Sequence, residues 1–243
     1  MKFNEHTAVS TSRVLLVPYD RHHVRKYHQW MQDPAIQEAT ASEPLTLEEE
    51  YENQESWRES RDKLTFIVCQ PVAGGAARPV VAGQVDAPER MVGDINFFLH
   101  PWDEEDPDED GHTAAATEAD RGRGVTLCAG EVDIMIADHS HRGRGVGRAA
   151  VSAFLRYIRS NLTAILEEYA SDKDVRQAKL RLLMAKIKES NAGSIALFKS
   201  LGFVQKGDVN YFGEVTMVLE DLERISSMPA EDYEEVGYTR LMN

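Results

Sequence analysis

Arg142-Gly143-Arg144-Gly145-Val146-Gly147-Arg148 stands between two segments of different period. Before it, Glu131-Val132-Asp133-Ile134-Met135-Ile136-Ala137 alternates and is rich in β-branched residues, which predicts a strand. After it, Val146, Ala150, Val151, Phe154, Leu155 and Ile158 recur at helical spacing and predict an amphipathic helix to about residue 159. Asp138-His139-Ser140-His141 fills the join. Glycines at a strand-to-helix turn let the backbone approach a ligand closely. The free amides of the helix start, at the positive end of its dipole, suit an anion such as a pyrophosphate. Arg142, Arg144 and Arg148 add positive charge, so the stretch reads as a phosphate cradle.

Several ligand classes use such cradles. A Walker A loop ends in Gly-Lys-Ser/Thr; here the end is Gly147-Arg148-Ala149, which disfavours a nucleoside triphosphatase. Gly145-Val146-Gly147-Arg148-Ala149-Ala150 does match the dinucleotide pattern G-x-G-x-x-A, and Glu167 stands near the spacing of a ribose-binding acid. Two features count against a dinucleotide. Polar residues separate the first glycine from the strand, and Glu131 and Asp133 are awkward in a parallel strand covered on both faces.

Outward from this centre, residues 13–19, 64–70 and 92–99 predict strands, and 80–85 a brief pairing. Asp20 can cap a helix to about residue 32, which Pro34 ends. Thr46 followed by Glu49 is a capping box for a helix with Leu47, Tyr51, Gln54 and Trp57 on one face. Residues 180–187 predict a strand, and Asn191 caps a helix ended by Gly202. Residues 204–209 and 212–220 predict a final hairpin. Residues 71–90 and 100–126 are expected inserts, and 221–243 an acidic, partly ordered tail. The order is that of one α/β domain over residues 1–220, a mixed sheet flanked by helices.

The chain has 243 residues and a net charge of -14, which argues against nucleic acid as main partner. Half of that charge equals the seven acids in Asp103-Glu104-Glu105-Asp106-Pro107-Asp108-Glu109-Asp110, expected to be a mobile, solvated loop or a docking surface for a basic partner. No apolar run approaches the roughly 20 residues of a membrane helix, and no secretory signal is expected, because no apolar run follows Met1-Lys2-Phe3-Asn4-Glu5-His6. Cys69 and Cys128 cannot build a disulfide framework, so the cytosol or nucleus is the expected compartment. His139 and His141 lack companions of metal-ligand spacing, and no metal is expected.

Arg142-x-x-Gly145-x-Gly147 resembles the R/Q-x-x-G-x-G/A signature of the Gcn5-related N-acetyltransferases. A second block, Asn191-Ala192-Gly193-Ser194-Ile195-Ala196-Leu197-Phe198-Lys199-Ser200-Leu201-Gly202-Phe203, resembles that family's N-x-x-S-x-x-L-F/Y-x-x-L-G-F segment. Leu16-Val17-Pro18-Tyr19, Tyr27-His28-Gln29-Trp30-Met31, the stretch from Ala39 to Glu48, and Met91-Val92-Gly93-Asp94-Ile95-Asn96-Phe97-Phe98-Leu99 are similar to the N-acetyltransferase 9-like branch, related to the RimJ/RimL type. The resemblance runs over about residues 1–220.

That resemblance implies a sheet that is mostly antiparallel and splayed at the acetyl-CoA site. It implies that the backbone of Ile134, Met135 and Ile136 pairs with the pantetheine arm and polarises the thioester carbonyl. By the same resemblance Arg142, Gly143, Arg144, Gly145, Val146 and Gly147 take the pyrophosphate, with Asn191 and Phe198 beside the arm. Glu131 is its favoured general base, with Asp133 as the second acid and Asp94 a weaker candidate. Phe198 replaces a family tyrosine that can protonate the departing sulfur, and Lys186 stands where some relatives carry an acid. Water or Tyr211 is then the expected proton donor. The acceptor implied is a protein N-terminus, with tubulin chains as the candidate. Two other functions fit the sequence: a CoA-binding interaction protein with little catalysis, and an acetyltransferase for polyamines or other small amines.

Overall fold

The computed structural model describes residues 1–72, 80–102, 125–171 and 177–240. The acidic run 103–110 lies outside them. Among the described residues the strands are β1 (Thr7–Ser10), β2 (Leu15–Pro18), β3 (Lys63–Cys69), β4 (Val80–Val81), β5 (Met91–Pro101), β6 (Val125–Ile136), β7 (Gln177–Lys188), β8 (Val204–Lys206), β9 (Glu214–Leu219) and β10 (Glu234–Thr239). The helices are α1 (Val24–Met31), α2 (Pro34–Thr40), α3 (Leu47–Glu59), α4 (Val146–Ser160), α5 (Leu162–Ala170) and α6 (Ala192–Ser200). All the strands share one mixed sheet in the order β4-β10-β1-β2-β3-β5-β6-β7-β9-β8. Neighbours are antiparallel except β4–β10 and β6–β7, which are parallel.

Alternation along the strands sends apolar side chains to both faces, and helices cover each. Leu64, Phe66 and Val68 of β3, Phe97 and Leu99 of β5 and Val132 of β6 meet Val151, Phe154 and Ile158 of α4. The Phe66 ring stands edge-on to Phe154 at 5.8 Å and to Tyr157 at 5.2 Å. On the opposite face Leu15, Val17, Ile67 and Met135 meet Val24, Tyr27, Trp30 and Met31 of α1 and Ile36 of α2. Each fully buried aliphatic or aromatic side chain contributes about 1.5–3 kcal/mol through lost apolar hydration.

The helix starts follow local chemistry. Thr46 and Glu49 form the expected capping box at α3. Pro34 ends α1 as expected, and it also occupies the first turn of α2, a position that suits a residue without an N–H. The Asp33 carboxylate accepts the Ala35 N–H at 2.9 Å to cap it. Helix α5 is an addition to the expected elements, although Leu162, Ile165, Leu166 and Tyr169 carry helical spacing.

The segment from residue 221, expected to form an acidic and partly ordered tail, instead enters the sheet. Its strand β10 pairs with β1 from Thr7↔Gly237 to Ser10↔Glu234 and buries Val236 and Tyr238. Those two alternating apolar residues outweigh the surrounding acids, which face solvent.

Tyr238 also joins a buried knot. Its hydroxyl donates to Asp86 Oδ2 at 2.6 Å, the Gly83 N–H donates to Oδ1 at 2.6 Å, and the Nε2 atoms of His22 and His23 lie 3.1 and 3.0 Å from Oδ2. Burial pushes the Asp86 carboxyl up, but the hydrogen bonds of His22 and His23, with that of Tyr238, outweigh it and hold the group well below the usual carboxylate range. The Asp20 N–H donates to His23 Nδ1 at 3.0 Å, so the hydrogen of the neutral ring sits on Nε2, facing Asp86. A cation bound at that Nε2 would need the opposite tautomer. The knot is therefore a hydrogen-bonded brace between the start of α1, residues 83–86 and β10.

Candidate active site

Strand β6 has different company on its two sides. It pairs with β5 from Pro101↔Cys128 to Gly93↔Ile136. It pairs with β7 only from Val125↔Gln177 to Glu131↔Met184. Beyond that point β7 stays with β9, from Leu183↔Leu219 to Lys188↔Glu214. Residues 132–136 thus lie in the interior of the sheet with one side open. A cleft of about 340 Å³ occupies the opening, and its walls include Ile134 and Met135 of β6, Ile187 of β7, and Asn191 and Phe198 around α6. Asn191 Oδ1 caps α6 by accepting the Ser194 N–H at 3.1 Å. Phe198 is buried, edge-on to Phe203 at 5.0 Å.

The glycine-rich turn closes the same strand. Gly143 and Gly145 have φ of 70° and 78°, in the left-handed region where a side chain is strained. Gly145 caps α4, and its carbonyl accepts the Ala149 N–H at 3.0 Å. The amides of Val146, Gly147 and Arg148 therefore have no partner inside the helix. Arg142, Arg144 and Arg148 are exposed, and Val146 is half-buried. Arg142 Nε donates to the Ile136 carbonyl at 2.6 Å, folding the turn back onto the strand end. Arg13 Nη2 donates to the Arg144 carbonyl at 2.7 Å from the other side. So the turn and the cleft are two ends of one feature, joined through residues 134–136.

The cleft face away from α4 is ionic. Glu131 and Asp133 of β6, Asp94 and Asn96 of β5, Lys186 and Lys188 of β7 and Glu214 of β9 all line it. Glu131 Oε2 lies 3.1 Å from Lys186 Nζ and 3.5 Å from His100 Nε2. Asp133 forms no comparable pair among the described residues. Burial pushes its carboxyl up to about 7, with the charges of Glu131 and Asp94 adding to the effect. Burial also pushes Asp94 up to about 7, against hydrogen bonds from Asn96 Nδ2 at 2.7 Å and the Tyr27 hydroxyl at 3.5 Å. Asp94 Oδ1 and Asn96 Oδ1 are buried without a partner among the described residues. Lys188 is more firmly held, with Nζ donating to the Phe212 carbonyl at 2.7 Å and lying 3.4 Å from Glu214. Tyr27, Trp57 and Phe98 add aromatic wall, and residues 39–42 form a lip.

Most of the residues that the sequence marks out gather along this feature; Tyr211 does not. It is 97% exposed on the β8–β9 loop and outside the cleft. Asn210 Oδ1 accepts the N–H groups of Phe212 and Glu214, at 2.9 and 3.0 Å, and this local turn leaves the Tyr211 ring outward. Conversely, the structure adds Arg13, Tyr27, Asn96 and Trp57 to the site. The alternation Asp94, Asn96, Phe98 on β5 is a usable sequence signal for part of that wall. Nothing near Arg13 announces its partner, which is 131 residues away.

Comparison with known proteins bears on this geometry. The acetyltransferase (GNAT) domain family matches residues 13–204. An N-acetyltransferase 9-like protein of Schizosaccharomyces pombe is 40% identical over 224 residues, covering 90% of this chain and 98% of its own. The alpha/beta-tubulin-N-acetyltransferase 9 of Drosophila melanogaster is 41% identical over 217 residues, covering 89% of this chain and 88% of its own. Among solved structures, spermidine N-acetyltransferase from Vibrio cholerae in complex with CoA and spermine shares the fold. Its TM-score is 0.52 at 14% identity, covering 85% of this chain and 94% of that one.

Proposed function

The chain belongs to the GNAT acetyltransferase family, and on that premise we propose that it transfers the acetyl group of acetyl-CoA to the N-terminal α-amine of a protein, with tubulin chains as the candidate acceptor. The observation that carries the proposal is the parting of β6 from β7 beside a glycine-rich helix start. The name of the Drosophila relative is what points to tubulin.

The residues fit the donor. The unpartnered amides of Val146, Gly147 and Arg148, with Arg142 and Arg144, suit its pyrophosphate. The open side of residues 132–136 offers backbone groups to its amide-bearing arm, along a wall made by Ile134, Asn191 and Phe198. Acetyl-CoA supplies a thioester, an acyl group already activated for attack. The chain must then hold an amine against it, remove the amine proton and stabilise the developing oxyanion. Positioning alone can supply about 7–11 kcal/mol in favourable cases. A β6 backbone N–H facing the gap is placed for the oxyanion role.

Asp133 is the better supported general base. A base is most effective when its titration lies near the working pH, and burial has pushed Asp133 up to about 7. Glu131, favoured from sequence position, is engaged by Lys186 and His100. Its role in this proposal is to hold that end of the cleft and to raise Asp133 through its charge. The acidic wall attracts a cationic amine. Phe198 has no proton to give to the departing sulfur, and solvent at the cleft mouth supplies it.

No described helix is long and apolar enough to cross a membrane. Cys69 and Cys128 are buried thiols that form no disulfide with each other, which supports work in a reducing compartment such as the cytosol.

The test is acetyl transfer read by mass spectrometry. Acceptors are peptides with free α-amines, tubulin N-termini among them, beside α-blocked lysine peptides and spermidine. Transfer to α-amines, lost in Asp133→Asn, is the expected result. Transfer to spermidine alone would replace the protein acceptor by a small amine. No transfer to any acceptor, with acetyl-CoA still bound, would overturn catalysis altogether.

A further inference from the structure

We propose that Lys186 is a self-acetylation site of this enzyme, and that its acetylation slows acetyl transfer to the acceptor. The proposal rests on the acyl transfer proposed above. The last paired residue of β7 beside β6 is Met184, opposite Glu131. Lys186 is two residues further, on the far lip of the gap. Side chains two apart on a strand share a face, so Lys186 follows Met184 onto the face of Glu131 and Asp133, and it lines the same cleft. An acceptor amine must approach the thioester from this side, past these carboxylates. Lys186 already holds an amine there, with Nζ 3.1 Å from Glu131 and a side chain 45% exposed. Its partner is one carboxylate on a mobile four-carbon stem, whereas Lys188 is tied to both a backbone carbonyl and Glu214.

The step balances with the donor the enzyme already uses. Nζ gives a proton to Asp133, its lone pair forms the N–C bond to the thioester carbonyl, and the C–S bond breaks. The sulfur leaves with the electron pair, and the second proton that Nζ sheds on becoming an amide passes through solvent to it. The products are acetyl-lysine at position 186 and the free CoA thiol. A tethered amine gains from proximity what a free acceptor must gain by binding.

The brake acts on the base, because the Lys186 charge across the cleft favours the ionised form of Asp133. Asp94, Glu131, Asp133 and Glu214 face the cleft against Lys186 and Lys188. Acetylation removes one of the two lysine charges, leaves Glu131 with His100 alone, and places a neutral amide at the mouth. The enzyme would then slow itself when donor is abundant and acceptor scarce.

The full chain is incubated with isotopically labelled acetyl-CoA without acceptor, and digests are read by mass spectrometry. A parallel sample carries an α-amine peptide. The expected result is label at Lys186, at least about tenfold faster than at Lys199 on the surface. Its first-order rate should be independent of protein concentration, and it should vanish in Gly145→Val together with peptide acetylation. Lys186→Arg should lose the label, and Lys186→Gln should acetylate peptide more slowly than Lys186→Arg. Peptide acetylation with Lys186 unlabelled, or labelled no faster than Lys199, overturns the proposal and leaves acetyl transfer intact. Equal peptide rates in the Gln and Arg variants overturn the brake. No label on either peptide or lysine, with donor bound, overturns the proposal together with the transfer reaction itself.

Discussion

Arg13 grips the Arg144 carbonyl from a guanidinium nitrogen at 2.7 Å, and so ties the segment before β2 to the glycine-rich turn before α4. The same nitrogen would lie 3.3 Å from a side chain grafted onto Gly145. Arg13 therefore holds the shape of the turn from outside.

Replacing Arg13 by alanine should weaken acetyl-CoA binding by about tenfold, since a hydrogen bond from a charged group contributes about 1.5 kcal/mol. The turnover at saturating donor should stay near that of the parent. Calorimetry and steady-state kinetics read the two quantities separately. A fall in turnover with donor affinity unchanged would remove Arg13 from the donor site.

With Asp133 as base, kcat/KM should rise with pH through about 7 and level off above it. Asp133→Asn should lose about 10² to 10⁴ of the rate. Glu131→Gln should move the acid limb to lower pH, because Glu131 helps to raise Asp133 and its removal frees Lys186, which lowers it. A profile that is unmoved in Glu131→Gln and survives Asp133→Asn would return the role to another group.

Asp94 makes a stability prediction of definite sign. Its folded value, about 7, lies above the unfolded 3.8, so the fold favours the protonated form. The stabilisation is fully present below about 3.8 and is lost as pH rises through 7. Asp94→Asn keeps a neutral side chain at all pH values. Its melting temperature relative to the parent should therefore climb between pH 5 and pH 8. A constant difference across that range would show that Asp94 is charged throughout.

The knot around Asp86 should be costly to undo. Asp86→Ala strips a buried carboxylate from His22, His23, Tyr238 and the Gly83 amide, and should lose about 3 kcal/mol or more. Tyr238→Phe removes one bond and should lose about 1 kcal/mol. Denaturant unfolding measures both. Equal losses would mean that the histidines contribute nothing.

Tyr211→Phe should leave kcat/KM for a short peptide unchanged, because the hydroxyl lies outside the cleft. A large fall would mean that the β8–β9 loop folds inward over the bound acceptor.

The centre of the molecule is legible from sequence because three local signals coincide there. Alternation stops at Ile136, glycines with left-handed torsions come next, and helical spacing begins at Val146. The capping boxes and helix stops are likewise local chemistry. The features hidden from the sequence depend on partners far along the chain. Strand β1 is four residues long and pairs with its neighbour β2 at only two of them, whereas all four pair with β10, more than 220 residues later. The contrast between Glu131 and Asp133 is invisible in Glu-Val-Asp itself. It comes from His100 and Lys186 reaching one acid and from burial isolating the other.

The gap beside β6 has a dynamic consequence. Amides in the middle strands of a sheet are ordinarily the slowest to exchange with solvent deuterium, because they open only with the whole fold. Alternate amides of residues 132–136 point instead into the gap, where no strand receives them. They should exchange at rates typical of a loop while their neighbours facing β5 remain protected. An occupant that completes the ladder would slow them selectively, so this protein carries within its deepest strand a built-in reporter of whether its cleft is filled.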